Sequence, residues 1–198
     1  PTKKYKRLTR VPNGQSYIRI VAYGNYIYVA NRDSTYGKIL QIYDTVENKW
    51  LDGITMPFTY AYIDMVIWDG ILYIFGYSSS GSQKNIMLAY NIQDASFRQL
   101  EQPYGLIRYT EAVAVDGKIY WFGGRDGSSN YYKNTRIYDI ATDTWSLGEN
   151  MPTELVEYCS VAHNGKIYII GGANSTNFGS SKNFTGFKSV YVYDIVSD

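Results

Sequence analysis

The stretch Asp116-Gly117-Lys118-Ile119-Tyr120-Trp121-Phe122-Gly123-Gly124 decides how this chain folds. Asp-Gly favours the positive φ angles of a two-residue hairpin turn. The apolar run after it suits a strand buried on both faces, and a Gly-Gly pair ends it. Upstream, Tyr109 to Val115 alternates as Y-T-E-A-V-A-V, a strand with two unlike faces. Downstream come Tyr138-Asp139, Trp145 seven residues after Tyr138, and Met151-Pro152. Nothing in the stretch shows sustained helical periodicity, so it reads as four short strands.

The same markers recur in the same order along the whole chain. Pro12, Pro57, Pro103 and Pro152 are spaced by 45, 46 and 49 residues, each shortly after Tyr5, Trp50, Phe97 or Trp145. Ile27-Tyr28, Leu72-Tyr73, Ile119-Tyr120 and Ile167-Tyr168 follow at intervals of 45, 47 and 48. Tyr43-Asp44, Tyr90-Asn91, Tyr138-Asp139 and Tyr193-Asp194 complete each unit, and Asp69-Gly70 and Asn164-Gly165 repeat the hairpin turn. Four strands in each unit of about 45–50 residues is the pattern of a β-propeller blade. The units run 12–57, 58–103, 104–152 and 153–198, the last completed by 1–11, within one domain.

Gly-Gly after a short apolar strand, Tyr-Asp, Trp seven positions later and Met-Pro together resemble the kelch repeat. The third unit carries the full set, whereas the first has Asn31-Arg32 for the glycines and the second keeps only Gly76 with Tyr77. The resemblance implies an all-β fold, a β-propeller of four kelch-like four-stranded blades. The chain stops at Asp198 before a fourth strand of the last unit, and Tyr5 stands seven residues before Pro12 as Trp50 stands before Pro57. The ring is therefore expected to close by the N-terminal strand, residues 3–11, pairing with the C-terminal blade. Rival readings are a segment of a longer propeller, or self-association of two chains into one shared ring.

Composition narrows the function. Of 198 residues, 45% are hydrophobic and 19% charged, below the roughly 25% charge of an average soluble domain. A net charge of +1 gives no field that would favour nucleic acid. No apolar run has the length to span a bilayer, so membrane insertion is not expected, and the opening residues do not read as a signal peptide. One cysteine and one histidine provide neither a disulfide framework nor a Cys/His metal cluster, and no cofactor or metal is expected. Lys3, Lys4, Lys6, Arg7 and Arg10 make a basic arm, read as charges that protect an edge strand rather than as a nucleic-acid contact. The sequons Asn174-Ser175-Thr176 and Asn183-Phe184-Thr185 matter only in a eukaryotic secreted setting, and the compartment stays open, with an extracellular or cell-surface setting slightly favoured over the cytoplasm.

Aligning the units on the Ile-Tyr pair stacks Val21, Val66, Val113 and Val161 in one column, expected as core. Two positions earlier stand Arg19, Asp64, Glu111 and Cys159. Such groups tolerate burial only if they pair or face a wet channel, so the column is either an ion-pair cluster around Arg19 or the polar floor of a pocket. Cys159 is read as a small buried hydrophobe, and His163 as a packing residue before a turn.

Loop lengths point to a binding face. The spacing from proline to the Ile-Tyr tyrosine is 16, 16, 17 and 16, but from there to the Tyr-Asp tyrosine it is 15, 17, 18 and 25. Insertions therefore gather in the second-to-third-strand loops, which share a face with the connections between units. Those segments carry Tyr17, Arg32, Tyr36, Phe58, Tyr60, Tyr62, Tyr77, Tyr104, Arg108, Tyr109, Arg125, Asp126, Tyr131, Tyr132, Asn174, Phe178 and Phe184 amid Ser, Asn and Gly. Aromatic anchors among small polar residues are the composition of binding loops. The expected ligand-binding set is Arg19, Tyr60, Tyr62, Asp64, Arg108, Tyr109, Glu111, Arg125, Asp126, Tyr131, Tyr132 and Asn174, with no catalytic residue assigned. The expected partner is a protein or a carbohydrate. The kelch resemblance also implies an alternative, since some kelch-like propellers are sugar mutarotases that need only placed acids and bases. Others form the body of copper oxidases, whose several histidines this chain lacks.

Overall fold

The structure, a computed structural model, describes residues 5–6, 8–12, 18–31, 37–78, 85–101, 108–126, 128–175 and 186–195. Four antiparallel sheets follow one another along the chain as the blades of a β-propeller. Blade 1 contains β1 (Arg19–Tyr23), β2 (Tyr26–Ala30), β3 (Ile39–Asp44) and β4 (Lys49–Trp50), with β5 (Ile54–Thr55) also paired to β3. Blade 2 contains β6 (Tyr60–Trp68), β7 (Ile71–Ser78), β8 (Asn85–Asn91) and β9 (Ser96–Gln99). Blade 3 contains β10 (Val113–Val115), β11 (Lys118–Phe122), β12 (Thr135–Asp139) and β13 (Thr144–Gly148). Blade 4 contains β14 (Val156–His163), β15 (Lys166–Ala173) and β16 (Val190–Asp194). The inner strands stand side by side, β1 against β6, β6 against β10 and β10 against β14.

Each recurring residue has a local physical role. Asp69-Gly70, Asp116-Gly117 and Asn164-Gly165 hold both turn positions at positive φ, as two-residue hairpins require. The acid or amide after the tyrosine closes the next turn: Asp44 accepts from Val46 and Glu47 N–H, Asn91 from Gln93, and Asp139 from Ala141 and Thr142. The tyrosine packs across the ladder on the outer-strand aromatic, with ring centroids 5.2 Å apart for Tyr43–Trp50, 4.7 Å for Tyr90–Phe97 and 5.2 Å for Tyr138–Trp145. Gly76 survives alone in blade 2 because a Cβ there would stand 1.8 Å from the Tyr62 carbonyl oxygen. Gly123 combines φ +62 with the Leu155 carbonyl 2.4 Å from any Cβ, so only glycine lets blade 4 approach blade 3.

Three apolar cores lie between successive blades. Tyr28, Leu40 and Met56 meet Met65, Ile74 and Leu88 between blades 1 and 2. Tyr73, Phe75 and Met87 meet Ile119, Trp121 and Tyr138 between blades 2 and 3. Tyr120, Phe122 and Ile137 meet Leu155, Tyr158 and Ile169 between blades 3 and 4. Among the described residues, no such core joins blade 4 to blade 1.

The expected closure by the N-terminal strand is therefore corrected. Residues 5–6 and 8–12 form no strand, and Tyr5 is fully exposed instead of lying beside Tyr193 as Trp50 lies beside Tyr43. β16 pairs with β15, and Tyr193 packs on Tyr120 and Phe122. Among the described residues, blades 4 and 1 share no apolar core, which leaves an opening there, and the segment before β1 is not packed on the β16 edge. Lys3, Lys4 and Arg7 lie outside the described residues. The same opening corrects the valine column: Val66 is buried, Val21 and Val113 are half-buried, and Val161 is exposed. Cys159 and His163, expected to pack inside, are exposed on the same blade.

Blade-to-blade contact also has a polar clamp. Asp143 accepts from the Tyr138 hydroxyl at 2.6 Å and, across the blade boundary, from Arg98 at 3.1 Å and Glu101 N–H at 3.0 Å. Asp143→Ala strands a hydroxyl on a buried ring and two donors of blade 2. A loss of about 1–3 kcal/mol is expected, read as a lower urea midpoint with an unchanged m-value.

Candidate functional site

Two clusters of the expected residues form, and they are distinct. The first is the inner-strand column. β1, β6 and the residues leading into β10 bring Arg19, Asp64 and Glu111 to a cavity of about 250 Å³ that is also lined by Val66, Ala112 and Val113. Asp64 is buried, its Oδ2 accepting Ala112 N–H at 2.7 Å and its Oδ1 accepting Met65 N–H at 2.9 Å. Arg19 Nε stands 3.2 Å from Asp64 Oδ1 with its N–H not aimed for a hydrogen bond, so the contact is an ion pair. Burial pushes the Asp64 carboxyl up to about 7, against the pull of Arg19 and the two backbone donors.

Glu111 is half-buried, and burial raises its carboxyl while Arg19 opposes the rise. It shares a hydrogen bond with the Cys159 thiol, and its negative charge is the main reason that thiol is pushed up. A raised thiol is a poor nucleophile. Tyr158 ties the column together, accepting Phe122 N–H at 3.0 Å and donating to the Glu111 carbonyl at 3.1 Å. The arrangement joins neighbouring blades at their inner edges, so the ion-pair reading accounts for Arg19 and Asp64. Glu111 is turned instead toward blade 4.

The second cluster lies where the connections between blades meet the second-to-third-strand loops. Arg108 and Arg125 exchange backbone hydrogen bonds at 2.9 and 3.0 Å, stitching the approach to β10 onto the loop after β11. The Arg108 guanidinium lies over two rings, 4.7 Å from the Tyr62 centroid and 4.6 Å from that of Tyr77. Tyr109 meets Tyr62 edge-on at 5.4 Å, with the two hydroxyls 3.2 Å apart. Irregular backbone aims these rings: the β6–β7 register shifts between Tyr60 and Tyr62, and Tyr109 sits at φ +61.

Asp126 organises the neighbouring loop. It accepts from the Asn130 side chain at 2.8 Å, from Ser128 and Asn130 N–H, and from the Tyr132 hydroxyl at 2.8 Å. These bonds, led by the Asn130 side chain, hold its carboxyl down at about 2. Arg125 bonds the Ser129 hydroxyl and lies 5.4 Å from the Tyr131 ring. Beneath it, Arg136 is buried, donates to the Gly123 carbonyl at 3.0 Å and lies under Tyr132.

Of the expected set, Tyr62, Arg108, Tyr109, Arg125, Asp126, Tyr131 and Tyr132 share this rim. Tyr60 does not: the structure buries its side chain in the core between blades 1 and 2, so it cannot meet a ligand on the loop face. Asn174 falls on blade 4, just after β15. Tyr17, Arg32, Tyr36, Tyr104, Phe178 and Phe184 lie outside the described residues. Arg136 was not foreseen; its one signal in the sequence is a charge two residues before Tyr138, inside a strand otherwise buried.

This fold, with these blades and loops, defines a β-propeller. The Kelch motif matches residues 108–152, and the chain resembles the kelch-repeat family. Among relatives, it is 29% identical over 116 residues to the Kelch-like protein terF of Aspergillus terreus, covering 56% of this chain and 24% of that protein. It is 31% identical over 105 residues to N-acetylneuraminate epimerase of Haemophilus influenzae, covering 50% of this chain and 28% of the relative. The solved structure of YjhT superposes with a TM-score of 0.79 at 16% identity, covering 96% of this chain and 65% of that one. The matched stretch thus spans about a quarter of the curated relatives, and about two thirds of the solved propeller.

The Asp64 environment makes stability depend on pH. Its folded-state carboxyl titrates at about 7 against an ordinary 3.8, so the folded protein holds the proton more tightly than the unfolded chain. Asp64 therefore favours folding most at low pH, and that contribution is lost as pH rises from about 4 to 7. In Asp64→Asn, melting temperature measured across this window should lose that downward slope, whatever its absolute value.

Proposed function

We propose that this propeller is a non-catalytic recognition module that binds a carboxylated glycan on the rim formed by Tyr62, Tyr77, Arg108, Tyr109 and Arg125. The observation that carries the reading is Arg108, whose guanidinium lies over two tyrosine rings and whose buried Nε has no hydrogen-bond partner. The Arg125 Nε is in the same condition. Among the described residues, neither arginine is paired with a carboxylate. A planar guanidinium fixed by stacking offers parallel N–H donors to a carboxylate at little further entropic cost. Tyrosine edges and the Ser and Asn of the loop suit the C–H faces and hydroxyls of a sugar. Relatives named for N-acetylneuraminate, an acidic sugar, support this ligand class.

A second reading is sugar-processing catalysis in the inner cavity. It is favoured by Asp64, whose carboxyl near 7 would suit proton transfer at neutral pH, beside Arg19 and Glu111. The epimerase names among the relatives support it equally.

An array of acidic and neutral glycans, followed by calorimetry on any that bind, separates these readings. Acidic glycans should bind without being converted, and Arg108→Ala should weaken binding about 10- to 100-fold, the worth of one or two charge-assisted hydrogen bonds. Conversion of a sugar seen by NMR, abolished in Asp64→Asn, would favour the catalytic reading. Binding only to a peptide library would move the ligand to the protein class.

A further inference from the structure

Arg108 and Arg125 belong to a short cross-strand row on the rim. They exchange both backbone hydrogen bonds, at 2.9 and 3.0 Å, and so form a directly opposed antiparallel pair. On its other side Arg125 is bridged to Tyr131, through Tyr132 N–H donating to the Gly124 carbonyl and Asp126 N–H donating to the Asn130 carbonyl. The order across the row is therefore Arg108, Arg125, Tyr131, with the middle position held from both sides. Directly opposed residues present their side chains on one face, with Cα atoms about 5.5 Å apart where the pair exchanges both bonds.

Two like charges opposed on one face cost stability unless they are separated or neutralised. Here they lean apart. The Arg108 guanidinium lies on the blade 2 side of the row, 4.7 Å from the Tyr62 centroid and 4.6 Å from that of Tyr77. The Arg125 guanidinium goes the other way, 5.4 Å from the Tyr131 centroid, with Nη2 donating to the Ser129 hydroxyl. Each cation thus has its own aromatic platform, and each keeps a buried Nε without a hydrogen-bond partner. Among the described residues no carboxylate forms an ion pair with either. The neighbouring Asp126 has its oxygens occupied by donors from Ser128, Asn130 and Tyr132.

One anion shared by both arginines would need the two guanidinium groups to converge, and the contacts that hold them draw them apart. We propose that the rim has two acid subsites in line, so that its ligand is an acidic oligosaccharide with carboxylates on neighbouring sugars rather than a single acidic sugar. The inference rests on the reading of the rim as a carboxylated-glycan site and assigns the parts within it. Arg108, with Tyr62 and Tyr77 under its guanidinium, takes the carboxylate of one sugar. Arg125, steadied by Ser129 and Tyr131, takes that of the next. A step of about 5.5 Å between the two backbones is of the order of the length one pyranose adds to a chain. Two carboxylates then neutralise two cations that have no ion-pair partner among the described residues. Carrying both acids on one chain makes the second contact intramolecular, so chain length raises affinity.

Calorimetry on the full chain tests this with galacturonate, its dimer and its trimer, and with N-acetylneuraminate and its linear dimer. At least one dimer should bind about tenfold or more tightly than its monosaccharide, and should lose affinity more steeply as salt rises. Arg125→Ala should return that dimer to the affinity of the monosaccharide while leaving binding of the monosaccharide itself nearly unchanged, which also shows that the variant is folded. Arg108→Ala should weaken both. Ser129→Ala, which keeps the charge but releases the Arg125 guanidinium, should weaken the dimer by a smaller factor and spare the monosaccharide. If dimers bind no tighter than monosaccharides while Arg108→Ala still weakens both, the two-subsite inference falls and the reading of the rim as an acidic-sugar site stands. Loss of monosaccharide binding in an Arg125→Ala protein with an unchanged melt would show one anion shared by both arginines, and overturns the inference as well. If none of these acids bind, the inference and the reading beneath it fall together.

Discussion

A sheet that is apolar on both faces can exist only between two neighbours, and this constraint governs the whole molecule. Along β7, Leu72 and Ile74 face blade 1 while Tyr73 and Phe75 face blade 3, and all four are buried. The usual alternation of apolar inside and polar outside is absent there because both sides are inside. Everything else serves the stacking of blades: turn-closing acids, tyrosine–aromatic ladders and glycines at close approach. The polar inner edge serves it too, since Asp64 takes its donors from blade 2 itself and from Ala112 on the way to blade 3.

The features legible in the sequence are those that each blade needs internally. Asp-Gly and Asn-Gly turns and the outer aromatics Trp50, Phe97 and Trp145 depend on residues close along the chain, and these stand where they were read. The features that were not legible depend on what stands next to a blade. Val161 matches Val66 in every local respect, yet one is exposed and the other buried, because burial is conferred by the neighbour. Tyr5 matches Trp50 in spacing, but spacing does not state which edge lies within reach. Tyr60 and Tyr62 are two residues apart on a connection read as a binding loop, and the irregularity between them sends the first into the core and the second to the rim.

The candidate rim was legible as composition but not as geometry. Tyrosine, arginine, serine and asparagine in the variable loops marked the face. What composition could not give is the stacking order, in which Arg108 lies over two rings from the neighbouring strands β6 and β7 of blade 2. Arg136 escaped for the same reason: its charge is reconciled with burial by the Gly123 carbonyl and the Tyr132 ring, neither adjacent in sequence.

The two clusters divide the work of polar groups in a way that bears on function. Asp126 is held down at about 2 by donors of its own loop and fixes the loop that presents Tyr131 and Tyr132. It spends its hydrogen-bonding capacity on shape, and so cannot also serve as a proton carrier near neutral pH. Asp64 is the reverse: burial brings it to about 7, but each of its oxygens already accepts a backbone N–H, and Arg19 lies against one of them. A general acid or base must be free to exchange its proton with a substrate atom within hydrogen-bond reach. Asp64 would have to give up a bond that holds blade 2 to blade 3 in order to do so. At Arg108 the Nε carries no such bond, being buried and without a hydrogen-bond partner while the guanidinium lies over the Tyr62 and Tyr77 rings. For that reason the recognition proposed for this propeller is placed on the rim rather than in the inner cavity.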